Sequence, residues 1–139
     1  MIKKVAVLVA VLMTLSGARM STPAAVTHSG DTTFFNDLVI TLLEPSITGA
    51  VSDYYRDRFV ETPGYSPSMS TITQVRRPGG GRSCHFLVDV EVKPYFGPHL
   101  TVGKDRLVCE VRFGQEAKVL EFEHLEDHEL PEHYQQMYR

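Results

Sequence analysis

Two segments in the first half of the chain repeat apolar residues at helical spacing. The first follows Asp31 and Thr32, residue types favoured at helix N-caps. Its apolar positions are Phe34, Phe35, Leu38, Val39, Leu42 and Leu43. Pro45 interrupts this helix and is tolerated in the first turn of a second one. The second apolar stripe comprises Ile47, Ala50, Val51, Tyr54 and Tyr55. The pattern predicts two consecutive amphipathic helices with a bend between them.

The second half of the chain alternates apolar and polar residues in four runs, over residues 69–77, 84–95, 105–113 and 117–124. In the second run, one face comprises Cys84, Phe86, Val88, Val90 and Val92. Such alternation predicts an antiparallel sheet that is covered on one face, and the two helices are its natural cover. We therefore predict an α+β fold in which two N-terminal helices pack on a four-stranded antiparallel meander sheet.

Residues 1–18 have the layout of a secretory signal peptide: a basic start at Lys3 and Lys4, an apolar run and small residues before Ala18. The apolar run has about 11 residues, whereas a membrane-spanning helix needs roughly 20. We expect cleavage after Ala18, with Ala24 as the second choice, and a secreted or extracytoplasmic protein. An uncleaved membrane anchor is the alternative.

The predicted organisation has one folded domain. Residues 1–18 form the signal peptide and residues 19–30 a flexible leader rich in small and polar side chains. The α+β domain covers residues 31–125, and residues 126–139 form a polar tail that contains acidic residues and histidines.

Charge argues against two classes of partner. The chain has net charge −3, which becomes −5 when cleavage removes Lys3 and Lys4, because residues 1–18 contain no acidic residue. We therefore expect no nucleic-acid partner and no strong membrane binding after cleavage. Arg76, Arg77 and Arg82 cluster around a Gly-rich segment, which we interpret as a solvated turn.

The two cysteines are predicted to remain unbridged, with an intramolecular disulfide as the alternative if the strand register slips. A hairpin that turns near residue 100 pairs Glu91 with Cys109 and leaves Cys84 about 20 Å out of line along the strands. A disulfide needs Cα atoms within about 7 Å. We expect both thiols in the core, and their isolated positions give no zinc or redox motif.

Four residues are candidates for lining a pocket. His99 follows Gly97 and Pro98 in a loop, where titratable groups often have functional roles. The alternative is that it closes a turn. Asp53, Tyr54 and Tyr55 end the second helix, where an aspartate can act as a general base. The alternative for the two tyrosines is a place in the core.

Catalytic and cofactor motifs are missing from the sequence. It has no G-x-S-x-G elbow and no phosphate-binding loop, so we predict no cofactor and favour a non-enzymatic role. His124, His128 and His133 are weak candidates for metal ligands. They do not form an H-E-x-x-H motif, and Pro131 breaks any helix that would join the last two, so we predict no metal site.

The chain resembles domain-of-unknown-function family 3888, a family of small exported proteins from Gram-positive, Bacillus-type bacteria. The matching segments are Leu43-Glu44-Pro45-Ser46-Ile47, Ala50-Val51, Tyr54-Tyr55, the alternating strand from Phe86 to Val92, Phe96-Gly97-Pro98-His99, and Phe122 with His124. The order of elements that the resemblance implies is similar to that of cystatin-like and nuclear-transport-factor-like domains. The family implies no activity.

These observations together predict an uncharacterised exported protein that acts as a non-catalytic binding or interaction module. The alternative is a small-ligand-binding or enzymatic domain with a pocket between helices and sheet. The sequence does not name a partner, and an envelope protein is one candidate.

Overall fold

Two helices cover one face of a four-stranded antiparallel sheet in the computed structural model, which describes residues 32–139. The helices are α1 (Thr32–Leu42) and α2 (Glu44–Tyr55), and a short 3₁₀ helix follows at Pro67–Met69. The strands in chain order are β1 (Thr71–Arg76), β2 (His85–Val92), β3 (Tyr95–Phe96), β4 (Leu100–Thr101), β5 (Gly103–Arg112) and β6 (Lys118–Asp127). The main sheet has the order β1-β2-β5-β6, and β3 with β4 forms a small separate hairpin. The predicted α+β fold is confirmed.

The bend between the helices occurs at the predicted position. Pro45 lies in the first turn of α2, where its missing N–H costs no helical hydrogen bond. The predicted stripe of α2 is largely correct, since Ile47, Val51 and Tyr55 are all buried and Tyr54 is partly exposed.

The inward face of α1 differs from the predicted one. Ile40 is fully buried, whereas Leu38 and Leu42 are 44% and 71% exposed. The cause is Asn36, whose amide donates to the carbonyl of Ser70 (3.3 Å) and accepts from the N–H of Ile72 (2.9 Å). These two hydrogen bonds turn the Asn36 face of α1 toward β1, a constraint that apolar spacing does not reveal.

The register of β2 and β5 differs from the predicted one by three residues. Cys109 lies opposite Val88, and Glu91 lies opposite Arg106. The β3–β4 hairpin occupies the connection and moves the centre of the turn. Both cysteines are free; Cys109 is buried as expected, and burial raises the pKa of its thiol to about 11. Cys84 is exposed, so its predicted place in the core is wrong.

Residues 126–139, predicted as a polar tail, pack against the domain. β6 continues to Asp127, and a 3₁₀ helix forms at Glu132–Met137. Leu130 is 3% exposed, and Tyr138 pairs with Phe59 in an isolated bridge. The apolar residues of this segment explain the packing, because Leu130 belongs to the core cluster and Met137 and Tyr138 pack against it. Part of segment 126–139 therefore packs on the core.

The core lies mainly between α2 and the half of the sheet next to the β3–β4 hairpin. The buried residues of the core include Ile40, Ile47, Val51 and Tyr55 on the helices, and Phe59, Val90, Val92, Phe96, Val102 and Leu107 after them in the chain. In residues 32–139, neither helix is long and apolar enough to cross a bilayer.

Candidate functional site

A buried carboxylate, Asp105, lies beneath the C-terminal end of α2 and is fully inaccessible to solvent. The hydroxyl of Tyr55 donates to its Oδ2 over 3.0 Å, and Nδ1 of His124 lies 2.6 Å from its Oδ1. Nε2 of His124 lies 2.9 Å from Asp127, which pairs at 2.5 Å with Arg58. We refer to these five residues as the buried polar network.

The strand register and one glycine assemble the network. Asp105 on β5 lies opposite His124 on β6, and Tyr55 is the last residue of α2. Gly103 leaves room between them: a Cβ at this position would lie 2.6 Å from the carbonyl oxygen of Glu126 and 2.7 Å from the Tyr55 hydroxyl. The absence of a side chain at Gly103 therefore allows α2 and β6 to approach.

The charges in the network are mutually dependent. Burial raises the pKa of Asp105, although the hydrogen bonds from His124 and Tyr55 oppose the rise. Burial alone lowers the pKa of His124, but its hydrogen bonds to Asp105 and Asp127 outweigh this effect and raise it. The hydrogen bonds from His124 and Arg58 lower the pKa of Asp127. This arrangement favours an imidazolium that donates one N–H to each carboxylate.

Both ring nitrogens of His124 are occupied by hydrogen-bond partners in the network. A histidine that acts as a general base needs a ring nitrogen with a free lone pair. Both ring nitrogens of His124 face carboxylates, and the ring of Tyr54 stacks on the imidazole with centroids 5.0 Å apart. Burial raises the pKa of the Tyr55 hydroxyl, which keeps it a hydrogen-bond donor. The network therefore fixes the end of α2 on the sheet.

A groove of about 770 Å³ lies at the other half of the sheet, under the bend between the helices. Its apolar lining comprises Val39, Leu42, Leu43 and Pro45 from the helices and the bend between them, Ile72, Val75, Phe86, Val88 and Val111 from the sheet, and Ala117 from the β5–β6 turn. We call it the apolar groove. Two hydrogen bonds flank it: Asn36 attaches α1 to β1, and the hydroxyl of Ser46 donates to the carbonyl of Ala117 over 2.8 Å.

The apolar groove is open to solvent. Leu42 and Val75, on opposite walls, are 71% and 55% exposed. Gln115 and Glu116 add polar side chains at the end nearest the β5–β6 turn. An apolar hollow with a few polar groups at its edge is the usual form of a site for a small ligand.

Comparison with known proteins assigns the chain to a family. The sequence profile of DUF3888, described as proteins of unknown function, matches residues 35–126, which is more than half of the chain. The chain belongs to the DUF3888 family. No curated protein and no solved structure matches it significantly. The resemblance to family 3888 is thus confirmed, whereas the likeness to cystatin-like and nuclear-transport-factor-like domains stays a prediction.

His99 closes a turn in this DUF3888 domain. It has φ of 64°, its N–H donates to the carbonyl of Gly97 over 2.9 Å, and its ring packs on Tyr95 with centroids 4.8 Å apart. It follows the C-terminal end of β2, whereas the apolar groove lies at the opposite end. The eight residues of β2 span roughly 25 Å at the usual rise. His99 therefore does not line the apolar groove.

Of the other candidate residues, Tyr54 and Tyr55 come together at the network, and Asp53 does not. Asp53 is exposed and pairs with Arg56 one helical turn away. Tyr54 also stacks on Phe122, with centroids 4.8 Å apart. Asp53 and Tyr54 line a shallow, open hollow of about 710 Å³ between α2 and β6. The four predicted residues thus do not converge on one pocket.

The three histidines proposed as weak metal candidates have different surroundings. His124 belongs to the buried polar network. His128 lies 2.8 Å from the hydroxyl of Thr101 and 3.3 Å from Glu126, and His133 packs against Tyr134. Within residues 32–139, no group of three or more His, Cys, Asp or Glu side chains is arranged to hold a metal ion.

The sequence analysis did not identify Asp105, the centre of the buried polar network, as a candidate residue. A signal was present: Asp105 precedes Leu107 and Cys109 by two and four residues, so strand alternation places it on the inward face. A charge at an inward position is rare unless it is paired. Its partners could not be identified because Tyr55 and His124 are distant in sequence.

Proposed function

We propose that this DUF3888 chain is an exported, non-catalytic binding module whose binding surface is the apolar groove. The observation that carries the proposal is the contrast within the fold. One half of the sheet carries most of the buried core beneath α2, whereas the other half leaves a groove of about 770 Å³ with a mainly apolar lining. Apolar surface that remains open to water is unfavourable, so an occupant that covers it gains the hydrophobic free energy of burial.

The surroundings of the titratable groups support a non-catalytic role. His124 has a carboxylate at each ring nitrogen, and His99 lies at the opposite end of the sheet. Asp53 pairs with Arg56 on the surface. None of these three residues lines the apolar groove. Apart from the Glu116 carboxylate at one end, a ligand in the groove would contact apolar side chains, Ser46 and Gln115, which exclude water or form hydrogen bonds.

Export is the second part of the proposal and is supported by residues 1–18, which lie outside the described residues. Their basic start, apolar run and small residues are the signals of a secretory leader. We expect the protein in the medium or cell envelope, with its N-terminus after Ala18. Cell fractionation with mass determination of the protein checks this. A full-length protein that stays in the cytoplasm contradicts export.

Blocking the apolar groove is expected to weaken binding strongly without unfolding the protein. Val75 lies on the edge strand β1, lines the groove and is 55% exposed. Val75→Trp adds a large side chain at the entrance, and surface substitutions of this kind change stability by about 0.5 kcal/mol or less. The affinity for the neutral fluorescent probe N-phenyl-1-naphthylamine should fall about tenfold or more, a loss of about 1.4 kcal/mol of binding free energy.

The matched control is Leu120→Trp on the opposite edge strand, β6. Leu120 is 51% exposed and lines the shallow hollow instead of the apolar groove. Its substitution should leave probe affinity unchanged. Equal losses in both variants, or no probe binding by the unmodified protein, would refute the assignment of the groove.

A further inference from the structure

Arg77 lies beside the apolar groove, over the ring of Phe86, which lines it. Arg76 lies opposite Leu87, so Arg77 follows on the face of Val75 and Phe86, both of which line the groove. Its guanidinium lies over the Phe86 ring, 4.8 Å from the centroid, and donates to the carbonyl of Gly81 over 3.1 Å. A cation–π contact and a hydrogen bond therefore hold this charge beside an apolar surface.

The charge of Arg77 is uncompensated in the described part of the chain. Other arginines pair with carboxylates there, namely Arg56, Arg58, Arg76, Arg106 and Arg112. Arg77 contacts a ring and a carbonyl oxygen, and within residues 32–139 no carboxylate forms an ion pair with it. A guanidinium has five N–H donors, so Arg77 retains donors for a ligand.

The remaining charges near the groove have different surroundings. Arg82 lies in the same β1–β2 loop and adds a second positive charge. Glu116 lines the groove at the β5–β6 turn and opposes an anion there. The planar guanidinium of Arg77 is pre-oriented by Phe86 and Gly81, and it matches the two oxygens of an anionic group. An anionic group is therefore expected on the Arg77 side of the groove.

We infer that the apolar groove takes a single-chain anionic amphiphile, with the alkyl chain between helices and sheet and the anionic head on Arg77. The inference rests on the proposed function and names its ligand class. The acidic net charge of the protein disfavours adsorption to an anionic bilayer. A single anionic head group that contacts Arg77 interacts mainly with this nearby charge, because salt screens the more distant ones. The sequence pattern indicated a solvated turn at Arg77; under this inference, Arg77 is part of the binding surface.

The test displaces N-phenyl-1-naphthylamine from the full chain with three ligands that share a dodecyl chain, all below their micellar concentrations. Dodecyl phosphate should bind about tenfold more tightly than dodecyltrimethylammonium, and added salt should weaken it. Arg77→Gln should lower the affinity for dodecyl phosphate about tenfold and change the affinity for neutral dodecyl maltoside by no more than about twofold. Arg77 is exposed, so this variant is expected to keep its fold.

Two control variants separate the head group from the alkyl chain. Arg82→Gln should lower the affinity for dodecyl phosphate less than Arg77→Gln does. Glu116→Gln should leave this affinity unchanged or raise it. If all three ligands bind alike and Arg77→Gln has no effect, the anionic-head inference fails while the binding module stands. The anionic-head inference also fails if dodecyltrimethylammonium binds more tightly than dodecyl phosphate and Glu116→Gln removes this preference. If neither the probe nor any ligand binds, the proposed function itself fails.

Discussion

Replacement of Asp105 by alanine is expected to remove about 3–5 kcal/mol of unfolding free energy, because it leaves Nδ1 of the partly buried His124 imidazolium and the buried Tyr55 hydroxyl without their acceptor. Asp105 is fully buried and accepts from both Tyr55 and His124. The typical stability of a domain is only about 5–15 kcal/mol, so the variant should be close to unfolding. Urea denaturation at neutral pH measures the loss.

Asp89→Ala is the matched control. Asp89 lies on the neighbouring strand and is buried like Asp105, but its partners Arg76 and Arg106 are 43% and 36% exposed. Water can solvate these guanidinium groups after the substitution, so we expect a loss of about 1 kcal/mol. Equal losses in the two variants would contradict the special position of Asp105.

The pH dependence of stability provides a second readout of the same variant. The folded protein binds the His124 proton more tightly than the unfolded chain does, because Asp105 and Asp127 raise the pKa of this imidazole. The stabilisation is therefore complete below the ordinary value of 6.5 and is lost as the pH rises through the raised value. Asp105→Ala should flatten this decline, since it removes one of the two carboxylates that hold the proton.

Gly103→Ala is expected to destabilise the fold by about 1–3 kcal/mol or more through overpacking. The new methyl group would meet the backbone carbonyl of Glu126 at 2.6 Å, and also the Tyr55 hydroxyl and the His124 ring. A backbone atom cannot rotate away, so β6 must shift and lengthen the hydrogen bonds at Asp105. Thermal unfolding of the purified variant measures the effect.

Gly49→Ala tests whether the effect of Gly103→Ala is local. Gly49 lies inside α2, and a Cβ there would meet no atom within 4 Å. Alanine in a helix interior is favoured over glycine by about 0.5–1 kcal/mol, so this variant should be more stable. A destabilised Gly49 variant, or an unaffected Gly103 variant, would contradict the packing described for α2.

Local periodicity was sufficient to predict most of the fold. The bend at Pro45 and the alternation of Val88, Val90 and Val92 each follow from steric or burial rules that act over a few residues. The errors arose where distant residues decide the outcome. Asn36 rotates α1 through hydrogen bonds to β1, and the β3–β4 hairpin shifts the register of Cys109.

The candidate site was less predictable for the same physical reason. The apolar groove exists because α1, α2, three strands and the β5–β6 turn leave a space, and no single segment encodes that space. Arg77 was interpreted as part of a solvated turn because its stacking on Phe86 depends on the register of β1 and β2. His99 attracted attention as a titratable loop residue, and its alternative role in closing a turn agrees with its backbone geometry.

The most direct test of the binding module is a titration of the isotopically labelled protein with dodecyl phosphate, followed by amide chemical shifts. The account predicts that the largest changes cluster at Val75, Phe86 and Val111 around the apolar groove, and that amides near Asp105 stay in place. Changes centred on the hollow at Asp53, or no saturable change at any amide, would contradict it.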